Sequence, residues 1–164
     1  KDKYIIKGND YKKNISLVIN VNNTKYYKSM IGVAQNKDTE LNLLFNYNNL
    51  VNEIDNITNH SNILFKGNGR EELNNFIKIL HNEFYCVKTN NYDIKDICYK
   101  KNLNSINMVF EIKDNLLNNV KNNIQNGTIF FINENNKNLT ELSSTIIYIK
   151  CKGYKIVSIN ELLN

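Results

Sequence analysis

Two histidines, three cysteines and sixteen acidic side chains are what this 164-residue chain has for ligating a metal, moving a proton or attacking an electrophile. Their spacing gathers few of them together. His60 and His81 fall on different elements, the first in a polar loop and the second at a helix C-terminus, where a cation complements the helix dipole. A metal site wants a closer pair or a neighbouring carboxylate cluster. Cys86, Cys98 and Cys151 are an odd number without CxxC spacing, which predicts small buried or half-buried thiols rather than a zinc cluster. Gly67-Asn68-Gly69-Arg70 follows a strand and opens a helix, as a phosphate cradle would, but it has neither the dinucleotide nor the P-loop spacing and reads better as a tight turn. Among the acids, Asp93 and Asp96 suit the N-cap and first turn of a helix. Glu111 and Asp114 follow a predicted strand over 106–110, and the C-terminal ends of parallel strands are where active sites are built. Asp114 equally suits the cap of a helix starting near Asn115.

The elements that must position these groups are legible from periodicity. Short apolar, β-branched runs at 15–19, 41–45, 62–65, 84–87, 106–110, 128–132 and 156–159 have the character of strands buried on both faces. Between them, apolar residues recur at helical spacing: Leu50 and Ile54; Leu73, Phe76, Ile77 and Leu80; Ile94, Ile97 and Cys98; Leu116, Leu117, Val120 and Ile124; Leu142, Ile146 and Ile149. Alternation of strand and helix over short connections predicts an α/β parallel architecture, and the pattern alone fits an open doubly wound sheet as well as a barrel. Residues 26–38 are less regular and read as a loop or a weak extra strand.

Length and 41% hydrophobic content fit a single domain over 1–164. Asn, Lys, Ile and Tyr are abundant and proline is absent, as in the product of an A/T-rich coding sequence. The net charge of +5 is spread over the chain without the dense basic stripe of a nucleic-acid binder, so no nucleic-acid partner is expected. No run is long enough for a membrane span. The chain begins at Lys1, which predicts a piece cut from a longer protein.

Residues 127–163 carry the most specific pattern: Gly127 before a buried strand, a polar loop, a helix running into Lys152-Gly153-Tyr154, and a last strand leading to Glu161-Leu162-Leu163. This resembles the closing β-α-β unit of polysaccharide deacetylases, the NodB-homology family, and the order of elements lets the whole chain be laid on that fold. The resemblance implies an incomplete or distorted (β/α) barrel of mostly parallel strands. It also implies removal of acetyl groups from N-acetylated sugars of chitin or peptidoglycan by a divalent metal and a water.

The residues that such chemistry needs are replaced. The family ends its first strand with two aspartates, a base and a metal ligand, where this chain has Asn20 and Val21. Its two metal histidines should fall within 63–68, where none occurs. Its Arg-Pro-Pro-type motif matches Val87-Lys88-Thr89, and its acid-base histidine matches Asn133, followed by Glu134. Glu111 matches the aspartate that orients that histidine. The resemblance therefore implies a pseudoenzyme: no catalytic residues, no metal ligands and no cofactor, with a vestigial groove near Asn20, Lys88, Glu111, Asn133 and Glu134. Amide hydrogen bonds and Tyr stacking there would hold cell-wall glycan, or the module would scaffold another envelope or spore protein of a low-G+C bacterium, outside the cytoplasm. The rival expectation is an active hydrolase of N-acetyl bonds with a non-standard site of Glu111, Glu134 and His60, which would require a divalent metal such as zinc.

Overall fold

Strand-forming runs and helical stripes alternate along the chain because each strand must be covered on one face by a helix and on the other by its neighbours' inward side chains. The computed structural model describes residues 4–57 and 62–164. Its strands are β1 (Tyr4–Ile5), β2 (Asn14–Asn20), β3 (Asn42–Phe45), β4 (Ile63–Phe65), β5 (Tyr85–Val87), β6 (Ser105–Ile106), β7 (Phe110–Ile112), β8 (Ile129–Asn133) and β9 (Lys155–Ile156). The helices are α1 (Tyr27–Gln35), α2 (Tyr47–Glu53) with a 3-10 turn over Ile54–Asn56, α3 (Arg70–Leu80), α4 (Tyr92–Lys100), α5 (Leu116–Asn123), α6 (Asn136–Cys151) and α7 (Ile159–Leu163).

All strand pairs are parallel, in the order β1-β6-β5-β4-β3-β2-β8-β7, with β9 paired to the start of β2. β6 and β7 lie six strand spacings apart on this path, about 29 Å if the sheet were flat. The chain crosses from Ile106 to Phe110 in four residue steps, which reach about 14 Å at most. The sheet must therefore curl until its two sides nearly meet. The result is the incomplete (β/α) barrel expected from the resemblance.

The same constraint corrects the predicted strand 106–110. It is two strands, β6 and β7, because the chain leaves one side of the opening at Ile106 and joins the other at Phe110. Met108 packs against the barrel interior on the way, and Val109 is exposed. Residues 26–38 hold a helix rather than a loop or strand, with Tyr27, Met30 and Ala34 buried on one stripe. The last predicted strand, 156–159, is shorter than expected and gives way to α7. Ser158 caps that helix by accepting from the Glu161 N–H at 3.2 Å, the S-x-x-E pattern of a capping box.

Alternation along the strands sorts side chains into two layers. Ile15, Leu17, Ile19 and Val21 face the helices, with Phe45, Phe65, Cys86 and Phe130. Val18, Leu44, Leu64, Ile106, Ile129 and Phe131 fill the barrel, and Ile159 and Leu162 of α7 join them. Asn42 locks that junction: fully buried, it donates to the Leu17 carbonyl and accepts from the Ile159 N–H.

Gly127 lies at φ +82°, and a Cβ there would come within 2.6 Å of the Gly8 carbonyl oxygen, across a backbone hydrogen bond from Gly8 N–H to Gly127 C=O. Both strain and collision oppose a side chain. Gly127→Ala is expected to destabilise the fold by about 2 kcal/mol or more, read as a lower urea midpoint with an unchanged slope.

Candidate functional site

At the C-terminal ends of the strands the inward-facing row turns from aliphatic to polar. Asn20 closes β2 and Asn133 closes β8, and the two are register partners. Lys66 follows β4 and continues the inward set of Leu64, while Glu111 sits in the middle of β7 between two helix-facing residues, Phe110 and Ile112. The Lys66 ammonium donates to the amide oxygen of Asn20 and, at 3.0 Å, to that of Asn22. Asn20 in turn donates from Nδ2 to the Asn133 Oδ1 at 3.2 Å. Ammonium, amide and amide thus form one polarised chain of donors in a common direction. Burial lowers the proton affinity of Lys66 below that of an ordinary lysine, and the negative charges of Glu134 and Glu111 partly restore it.

Glu134, next along from Asn133, is almost fully buried, with 3% of its surface exposed. Its Oε1 accepts from the backbone N–H groups of Asn22, Asn23 and Thr24, and its Oε2 from those of Tyr26 and Tyr27. Burial alone would raise its pKa, but the amides of Tyr26, Asn22, Tyr27 and Asn23 outweigh it and hold the carboxyl below the usual carboxylate range. The carboxylate thereby caps α1, whose own N-cap residue, Tyr26, offers no side-chain acceptor. Asn138 fastens the neighbouring ends, donating to the carbonyls of Ile112, Lys113 and Asn133.

The remaining candidates are dispersed. Val21 turns into the helix-side core, and it is Asn22 beside it that reaches the groove. Lys88 places its ammonium 4.6 Å from the centre of the Tyr4 ring. Tyr4 shares register with Cys86 through Ser105, so this pair belongs to the helix side of the sheet. His60 lies outside the described residues. His81 caps the C-terminus of α3 at φ +58°. At Gly67-Asn68-Gly69 the helix start is met by the chain's own Glu72 carboxylate, which accepts from the Asn68 N–H at 3.4 Å. Asn91, not Asp93, caps α4, and Asp93 pairs with Arg70 at 3.0 Å. Asp114 does not cap α5, which starts from Asn115 in the left-handed region. Lys66 is the site residue that sequence reasoning missed, although a lysine two residues beyond inward-facing Leu64 was readable by parity.

No family model matches the sequence, and no curated protein matches it significantly. Solved structures do match. The wild-type BA3943 protein of Bacillus anthracis, described as a CE4 family pseudoenzyme, superposes with a TM-score of 0.80 at 16% identity over 100% of this chain and 70% of its own. The Bc1960 peptidoglycan N-acetylglucosamine deacetylase gives 0.82 at 11% identity over 98% and 92%. PdaA of Bacillus subtilis, a family 4 carbohydrate esterase, gives 0.78 at 14% over 97% and 84%. The fold of this chain is that of the family 4 carbohydrate esterases, the NodB-like polysaccharide deacetylases. Among the described residues no three His, Cys, Asp or Glu side chains converge as a divalent metal would need, and the Lys66 amine engages the amide oxygens of both Asn20 and Asn22.

Glu134 titrates lower in the folded chain than unfolded, so its contribution to stability is full at neutral pH. It is lost as the pH falls from the unfolded value, about 4.3, through the lower folded one. Glu134→Gln is expected to cost about 3 kcal/mol at pH 7 and to flatten the acid limb of the stability profile, measured by urea unfolding across pH 2 to 7 (roughly the window of carboxylate titration).

Proposed function

We propose that this chain is a non-hydrolytic member of the deacetylase fold that binds N-acetylated cell-wall glycan, outside the cytoplasm, in the envelope or spore of a low-G+C bacterium. The observation that carries the reading is the Lys66-Asn20-Asn133 chain of hydrogen bonds at the strand ends. Hydrolysis of an acetamide needs a base for the water, an electrophile for the carbonyl and an acid for the departing amine. Asn20 and Asn133 have no proton to exchange near neutral pH. Lys66 is a donor already committed to two amide oxygens. Glu134 spends its oxygens on five backbone amides, and a carboxylate held that way is a poor acceptor for a water proton. The rival site of Glu111, Glu134 and His60 thus has one of its carboxylates committed to the backbone.

The same groups suit recognition. Among the described residues nothing accepts from the Asn133 Nδ2, which leaves a donor for an acetyl carbonyl or a sugar hydroxyl, and Glu111 on the neighbouring strand, in register with Phe131, offers an exposed acceptor. Amide and carboxylate groups with both donors and acceptors match the hydroxyls of a neutral sugar polymer better than they match a polyanion. The structural relatives support the substrate class and the loss of activity alike: one is a peptidoglycan N-acetylglucosamine deacetylase, and another is a pseudoenzyme of which a mutant with restored activity is known.

Purified protein is expected to hold no stoichiometric zinc, cobalt or manganese, to release no acetate from chitin or peptidoglycan fragments, and to bind those fragments in a calorimetric titration. Asn133→Ala should weaken that binding about tenfold, the worth of one hydrogen bond. A stoichiometric metal together with acetate release would overturn the reading. Absence of binding to every fragment would remove the glycan and leave a protein-scaffolding role.

A further inference from the structure

Cys86 is the central residue of β5 and turns into the helix-side core, and Cys98 lies near the end of α4, the helix that follows that strand. Both are buried, and their sulfur atoms are 2.8 Å apart. Atoms as small as carbon rest against one another at about 3.5–4.0 Å, and a covalent S–S bond is about 2.04 Å, so this pair lies well inside ordinary contact, about midway to a bond. No third His, Cys, Asp or Glu joins them among the described residues, which argues against a thiolate metal centre. Cys151 is exposed at the end of α6 and is not part of the pair.

We propose that Cys86 and Cys98 form an intrachain disulfide that fastens α4 to β5 and leaves Cys151 as the free thiol. The bond sits beside short strands. β5 has three residues, and β6 and β1 beyond it have two each, so few ladder hydrogen bonds hold that side. Closure joins the two sulfurs with loss of both thiol protons and two electrons. An organic disulfide takes them: its S–S bond is cleaved in two exchange steps, through a mixed disulfide, and leaves as two thiols. Because both cysteines are buried in the folded chain, exchange occurs while the chain folds or while α4 is locally open.

The test uses the full chain carrying Cys151→Ser, reduced and unfolded, then refolded either in a mixture of reduced and oxidised glutathione or in reductant alone. The redox mixture is expected to give folded protein with no thiol titratable in denaturant and a mass lower by two hydrogen atoms. It should also yield a linked peptide containing Cys86 and Cys98, and a thermal midpoint several degrees above that of the reduced sample. The reduced sample should show two thiols. Folded protein that keeps both thiols in the redox mixture, or carries glutathione adducts in place of the link, would overturn the proposal. Should refolding fail, the same thiol count on the variant exported to a bacterial periplasm decides the matter, and two free thiols there would overturn it equally.

Discussion

The site end of this fold hangs on one buried carboxylate. Glu134 gathers five near-consecutive amides from the end of β2 to the first residue of α1, fixing the turn that starts the helix. Without it the first turn of α1 would bury unpaired N–H groups, each costing about 1–3 kcal/mol. Its charge also reaches Lys66, a half-buried amine whose other company is the amide oxygens of Asn20 and Asn22 and the more weakly acting charge of Glu111. Helix start and lysine therefore depend on the same carboxylate, and neither is near Glu134 in sequence.

That arrangement suits a groove floor of amides rather than of carboxylates and imidazoles. A site built from carboxylates and imidazoles around a cation presents many like-charged or lone-pair-bearing groups to one another, which is stable only with the cation in place. Here the chain supplies its own positive charge. Lys66 donates where lone pairs converge, Asn20 passes the polarity to Asn133, and the groove is internally satisfied. The groups that remain open are Glu111, which is exposed, and the Asn133 amide, which is half-buried.

Most of the architecture was legible because buried parallel strands are near-continuous apolar runs, and 15–19, 41–45, 62–65, 84–87 and 128–132 all sit where their composition placed them. The failures have specific causes. α1 was illegible because its cap comes from Glu134, more than a hundred residues away, and local pattern cannot report a distant carboxylate. The break between β6 and β7 answers to curvature of the whole sheet rather than to any residue in 106–110. α7 carried a local signal in Ser158 and Glu161 that a short apolar run obscured. In the groove, the family resemblance implies a common place for Asn20 and Asn133 but not the bond between them, and it has no counterpart for Lys66, which lies in the stretch where the resemblance implies histidines.

β2, the first long strand made, has β3 on one side, β8 on the other and β9 against its start, while Asn42 in β3 waits for Ile159. Two of β2's three neighbours arrive only in the last fifth or so of the chain. Synthesis in chain order cannot close this barrel by stages, since its central strand stays half-paired until β8 and β9 have been made. While the stretch between β3 and β8 is being added, the apolar β2 keeps one edge open, held only by β3 and by the helices that cover its face.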